Sequence, residues 1–153
     1  MYDRILVPTD GSEISAAAEK AAIAFARAHG SEIVALAIGQ PQQPLASAEA
    51  AMAIDPGFDD EVLLATARER AQHVADACAA AGVACTPLAL LDYAPAEAIV
   101  ATADSQGCDL IFMGSHGRRG LSRLMAGSVT QKVLADAHVP VLVMRPQKPH
   151  ARE

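Results

Sequence analysis

Tryptophan is absent from this 153-residue chain, and two tyrosines with three phenylalanines bring aromatics to only 3%. Binding of unpaired nucleic acid relies on rings that stack on bases, and five rings make no such platform. Cysteine is scarce as well: Cys78, Cys85 and Cys108 are odd in number and lack metal-site spacing. They read as small buried hydrophobes in a reducing cytoplasm. His29, His73, His138 and His150 are scattered, so no metal cluster is expected. No apolar run reaches the about 18 to 20 residues that a membrane span needs. Positive charge is also in deficit, with a formal net charge of −6, which argues against broad nucleic-acid affinity. The adjacent Arg118 and Arg119 are a local exception. Met1-Tyr2-Asp3-Arg4 leads straight into a strand-like run, so no signal peptide is expected and the cytoplasm is the expected location.

What the chain does have is apolar residues, 52% of the total, enough for one good core and too few residues for two domains. We expect a single domain over residues 1–146 and a frayed, flexible tail over 147–153. Strand and helix signals alternate throughout. Residues 4–8 (Arg-Ile-Leu-Val-Pro) read as a strand, followed by Ser12 as a helix cap, an alanine-rich helix over 14–28 and Gly30 as its stop. Residues 32–38 read as a second strand, and residues 39–58, rich in proline and alanine, as a long connection of the kind that forms lids or partner surfaces.

Leu63, Ala67, Ala71, Val74, Cys78 and Ala81 recur at helical steps within an expected helix over 59–81, which Gly82 closes. Strand 83–91 contains Pro87 and so suits an edge. Helix 95–106 has proline in its first turn. Strand 109–113, a helix over 128–137 and strand 140–144 complete the order. Strands that are almost wholly apolar and alternate with helices predict an α/β fold, a parallel sheet covered on both faces. Ligands of such sheets sit beyond the carboxyl ends of the strands, where the strand order reverses. Thr9-Asp10 and Gly114 to Gly117 occupy two such ends, and form one site if their strands are neighbours.

The most informative spacing lies after the fourth strand. Gly114-Ser115-His116-Gly117 is followed, after nine intervening residues, by Gly127-Ser128-Val129-Thr130. Glycine lets a backbone approach an anion closely, and a helix starting near Ser128 aims unpaired N–H groups and its positive dipole end at that place. Ser128 and Thr130 add hydroxyls, and Arg118 and Arg119 add charge, so the set reads as a phosphate cradle. Gly117 as a plain turn, Gly127 as a plain helix cap, and Arg118 and Arg119 as solvated loop charges are the alternatives. Asp10 fits either a cap for the next helix or a ligand contact. His116 fits a residue that shapes the loop better than an acid or base.

Pro8-Thr9-Asp10-Gly11-Ser12, Met113 to Gly120, Gly127-Ser128-Val129-Thr130 and the closing Val139-Pro140-Val141-Leu142-Val143 together resemble the universal stress protein family. The spacing Gly-x2-Gly-x9-Gly-Ser is similar to that of the family's ATP-binding branch. The resemblance implies a single doubly wound five-stranded parallel sheet, order 3-2-1-4-5, with helices on both faces and ATP between the first and fourth strands. It implies that Asp10 and the backbone of Ile38 meet adenine and ribose, that Met113 and Gly114 lie along the nucleoside, and that Pro8 and Thr9 belong to the same nucleotide site. Gly117, Gly127, Ser128, Val129 and Thr130 would hold the phosphates, with Mg²⁺ or Mn²⁺ held mainly by phosphate and water, and His116 and Arg118 are counted in the nucleotide site. Many relatives carry an acidic residue after the second strand. Here Gly39-Gln40 follows, which leaves only a backbone contact there.

The function this implies is a regulatory ATP-binding module in stress response, with a protein partner not identifiable from sequence and no nucleic-acid or membrane partner. The rival is a slow ATPase or autokinase using the same site. Hydrolysis needs a positioned acceptor and charge stabilisation at the γ-phosphate; the phosphate loop holds no carboxylate base, and no Walker lysine follows its glycines. No catalytic residue is therefore assigned. A phosphoacceptor receiver domain would want an acidic cluster where only Asp10 stands, and a lysine where the last strand is followed by Arg145. Finally, Val141, Leu142, Val143 and Met144 form an apolar strand that the family order puts at a sheet edge, which predicts a homodimer through it.

Overall fold

The first strand, β1 (Arg4–Thr9), runs through the middle of the sheet and is followed by α1 (Glu13–His29), β2 (Glu32–Gly39) and α2 (Pro56–Ala80). Then come β3 (Cys85–Leu91), α3 (Pro95–Ser105), β4 (Leu110–Gly114), α4 (Ser128–Asp136) and β5 (Val141–Met144). The computed structural model describes residues 1–41, 56–116 and 126–145. Most of the expected connection over 39–58, Gly117 to Gly120 of the glycine loop, and the tail over 147–153 therefore lie outside the described residues.

All five strands are parallel, in the order β3-β2-β1-β4-β5, as the resemblance implied. β1 pairs with β2 from Arg4 opposite Glu32, and with β4 through Ile5 and Leu6 opposite Leu110 and Ile111. The order reverses between β1 and β4, so their carboxyl ends open the crevice in which such sheets bind ligands.

Alternate residues of each buried strand supply two separate cores. Ile5, Val7, Ile33, Ala35 and Phe112 pack with Ala22 and Ala26 of α1 and Val74 and Cys78 of α2. Leu6, Val34, Leu36, Ile111 and Met113 pack on the other face with Ile99 and Ala103 of α3 and Val133 of α4. Thus α1 and α2 cover one face and α3 and α4 the other. A third cluster, Ala37 with Ala67 and Ala71, seats α2 against β2 through methyl-sized side chains.

Local chemistry accounts for the element ends. Ser12 caps α1 by accepting the Ser15 N–H at 3.1 Å. Gly30 closes it in the left-handed region at φ 74°, where glycine carries no Cβ penalty. The structure starts α2 at Pro56, three residues before the expected position, with proline where its missing N–H breaks no helical bond. β3 begins at Cys85 and not at Val83, because the Val83 N–H is drawn back to the Cys78 carbonyl at 2.9 Å. β4 likewise begins one residue late. The Asp109 carboxylate accepts N–H bonds from Asp3 and Arg4 at 2.8 and 3.1 Å, and so clasps the start of β1. Pro87 does lie on an edge strand.

Cys78 and Cys108 are buried, as read from the sequence, while Cys85 is half-buried. Burial, with Cys85 beside it, pushes the Cys78 thiol up to about 12, and burial raises Cys108 to about 11. Such thiols stay protonated at neutral pH and are poor nucleophiles. Among the described residues, no helix is long and apolar enough to cross a membrane.

Candidate functional site

The turn after β1 is held by a small polar layer. Thr9 ends the strand and its hydroxyl donates to Glu19 Oε1, which also accepts the Ser15 hydroxyl at 2.8 Å. Glu19 is only 8% exposed, so this carboxylate is engaged below the surface and not solvated. Ser15 Oγ in turn accepts the Asp10 N–H at 3.3 Å. Asp10 Oδ1 takes the Ser12 N–H at 2.9 Å, the local turn role expected of an aspartate there. The cap of α1 itself is Ser12 and not Asp10, and Asp10 also lines a cavity.

The turn after β4 is built to deliver a helix end. The Thr130 hydroxyl reaches the carbonyls of Gly114 and Ser115 at 3.1 and 3.2 Å, and the Gly127 N–H donates to the Ser115 carbonyl at 2.7 Å. These bonds fasten the start of α4 across the end of β4. Ser115 and His116 are both buried, and Ser115 Oγ is hydrogen-bonded to His116 Nδ1 at 2.9 Å. That is the geometry of an imidazole that shapes a loop. Gly127 caps α4 without a side-chain hydrogen bond, and the first turn carries no acidic residue. The N–H groups of Ser128, Val129 and Thr130 have no intrahelical partner, and the positive end of the helix dipole is theirs.

Between these two turns lies a cavity of about 630 Å³, a size common for small-molecule sites. Eleven of the residues singled out from sequence line it: Pro8, Thr9 and Asp10 from β1 and its turn, Ile38 from β2, Met113, Gly114 and His116 from β4 and its turn, and Gly127, Ser128, Val129 and Thr130 from α4. Gly117 and Arg118 lie outside the described residues. Met113 is buried in the core, and Ile38 packs on that same core. After β2, Gly39 and Gln40 border the cavity. A Cβ on Gly39 would sit 2.6 Å from Leu91 Cδ2 and 3.2 Å from the Leu63 carbonyl oxygen, so a side chain there would have to displace the tip of Leu91 and crowd the backbone of α2.

Sequence reading missed the remaining walls. Leu63, Thr66 and Arg70 of α2 close one side, and Tyr93, Pro95 and Ile99 close the other. Leu63 heads the apolar stripe, and Thr66 and Arg70 follow it at three- and four-residue steps along the stripe's flank, a signal available in the sequence once α2 is known to overhang the site. Among the described lining residues, Asp10 and Arg70 are the charged ones. No group of three metal-ligating side chains occurs among the described residues. The arrangement therefore offers an apolar pocket with a helix N-terminus at one end, suited to holding a molecule that is apolar at one end and anionic at the other.

Comparison with known proteins agrees with this geometry. Residues 1–145 match the family model described as the Universal stress protein family. The chain is 33% identical over 148 residues to Universal stress protein MJ0531 of Methanocaldococcus jannaschii, covering 97% of this chain and 85% of that protein. The solved structure of MJ0577, from the same organism, superposes with a TM-score of 0.78 at 28% identity, covering 97% of this chain and 99% of that one. A universal stress protein from Archaeoglobus fulgidus, solved in complex with dAMP, shares the fold with a TM-score of 0.65 at 20% identity, covering 94% and 98%.

Proposed function

The chain belongs to the universal stress protein family, and we propose that it is an ATP-binding member acting as a regulatory module of stress response in the cytoplasm. The observation that carries this is the start of α4, glycine-capped and without an acidic first turn, facing a cavity of about 630 Å³ at the reversal point of the sheet. Leu36, Ile38, Ile99 and Met113 give the cavity an apolar region for a purine ring. Asp10 offers a carboxylate to ribose hydroxyls, and the N–H groups of Ser128 to Thr130 suit phosphate oxygens. The dAMP complex of the Archaeoglobus relative supports an adenine nucleotide as the class. A divalent ion would be held through phosphates and water, since the described residues supply no ligand cluster of their own.

Native mass spectrometry of the purified chain, followed by calorimetric titration, tests this reading. The expected result is a bound adduct of ATP mass, saturable affinity for ATP, and negligible phosphate release over the same hours. The last expectation follows from the lack of a Walker lysine after the glycines. No binding of any adenine nucleotide would overturn the reading, and rapid multiple-turnover phosphate release would replace it by an ATPase.

We also propose a homodimer. β5 pairs with β4 and ends the sheet order, and its Leu142 is 37% exposed. An apolar edge strand of this kind is normally covered, and a second copy running antiparallel across a two-fold axis covers it most simply. Val143→Lys puts two ammonium groups close to that axis. Sedimentation velocity is expected to show a dimer for the native chain at micromolar concentration and a shift toward monomer for the variant. A native monomer would refute the interface.

A further inference from the structure

Arg70 is the one charged side chain that α2 brings to the described cavity wall. It stands on the α1–α2 side of the sheet, whereas the N-terminus of α4 belongs to the opposite side. The cavity is thus flanked by positive groups from both faces, with Asp10 at the end of β1 between them.

The arm of Arg70 is guided by Gly11. A Cβ built on Gly11 would lie 3.0 Å from Arg70 Nε, 3.3 Å from Cδ and 3.5 Å from Cγ. The arginine therefore lies over the bare backbone of the β1–α1 turn, a path that any side chain at position 11 would narrow. Gly11 also has φ +74°, so the turn and the path need glycine for separate reasons. Arg70 is half-buried and borders a smaller recess with Glu19 and His73 as well as the main cavity. A guanidinium carries five N–H donors in a planar fork, so one edge can serve protein acceptors while the other faces a ligand.

We propose that Arg70 is a ligand-binding residue that contacts an anionic group of the bound nucleotide, with Gly11 as the residue that positions it. This rests on the nucleotide reading above and extends it: the ligand's charge is read from two walls, by backbone N–H groups at α4 and by a guanidinium from α2. The site then discriminates phosphorylated from unphosphorylated adenosine more strongly than a helix N-terminus alone would.

The test measures ATP by calorimetry and adenosine by ligand-observed NMR, on the native chain and on Arg70→Gln, Arg70→Lys and Gly11→Ala. Loss of a charge-assisted contact in Arg70→Gln is expected to weaken ATP by about tenfold or more. Adenosine affinity should stay within about twofold, because a neutral ligand gains no charge-assisted contact. Arg70→Lys keeps the charge and should retain part of the ATP affinity. Gly11→Ala should weaken ATP, and the part of that loss carried through Arg70 should vanish when Arg70 is already Gln, leaving only the cost of straining the turn. Native ATP affinity in Arg70→Gln would overturn the role of Arg70 and leave the nucleotide reading standing. Equal losses for ATP and adenosine would make Arg70 a structural residue and overturn it as well. A native chain that binds neither ligand would instead overturn the nucleotide reading itself.

Discussion

Gly127→Val is expected to abolish ATP binding and leave the fold in place. The backbone at Gly127 has φ −62° and ψ 163°, which any residue adopts. A Cβ there would meet the Ser115 carbonyl oxygen at 3.5 Å, His116 Cα at 3.6 Å and His116 Cδ2 at 3.9 Å, all ordinary contacts. Protein packing therefore does not require glycine at this position. On the proposed phosphate site, the close approach of the ligand does. Valine adds two stiff methyl groups beside His116, at the mouth of α4 where phosphate oxygens must reach the N–H groups. The Gly127 N–H bond to Ser115 survives the substitution, so the start of α4 stays fastened. A loss of about 100-fold or more is expected in calorimetric titration, as two or more charge-assisted hydrogen bonds are blocked. The melting curve should remain cooperative and close to native. Unchanged affinity in folded protein would remove the phosphate site from α4.

The largest effect on stability is expected from Leu6→Ala. Leu6 is fully buried on the central strand, opposite Val34 on one side and Ile111 on the other. Neighbours on both flanks are fixed by strand pairing, so they cannot collapse into the space left behind. Substitutions of this kind cost about 2–5 kcal/mol, which in a chain of this length lowers the melting temperature by roughly 2–4 °C per kcal/mol. A fall of about 10 °C in thermal denaturation is the central expectation from those two figures. Leu6 does not line the cavity, so ATP affinity measured well below the transition should be unchanged. A shift of under about 3 °C would mean that this core relaxes far more than a close-packed interior should.

The two substitutions probe different layers, and the sequence displayed those layers unequally. Ile5-Leu6-Val7 and Leu110-Ile111-Phe112-Met113 are apolar without interruption because both faces of a central parallel strand are covered, so their place in the sheet is legible from residue type. Glycine at 30 and 82, each at φ above 70°, marks the end of a helix for a conformational reason that any chain would share. Thr9, Asp10, Gly114 and His116, with the start of α4, were also accessible, since loops at the carboxyl ends of strands are where such sheets place their sites; Pro8, Ile38 and Met113 came with the family resemblance. The strand order itself came only with the family resemblance, because periodicity says nothing about which strand lies beside which.

The residues that escaped are of another kind. Glu19 sits one position from Ala18 on an alanine-rich helix and reads as a solvated charge until Thr9 and Ser15 are seen to donate to it. Thr66 and Arg70 read as the polar flank of an amphipathic helix. Their role depends on how closely α2 approaches β2, a tertiary distance that no local pattern encodes. Tyr93, though one of only two tyrosines, lies in a short connection whose direction is set by the strand before it and the helix after it.

That approach of α2 rests on four alanines and a glycine. Ala37, Ala67 and Ala71 are buried together with Ala89 against them, and Gly39 lies under the Leu63 carbonyl, which a Cβ would meet at 3.2 Å. The breadth of the pocket is then a mechanical quantity, set by side-chain volume in the seam between α2 and the sheet. One added methylene at Ala67 or Ala71 would lift α2 and carry Thr66 and Arg70 outward with it, with no change in any group facing the ligand. Guests of different girth can thus be accommodated on this scaffold by altering what lies beneath the helix.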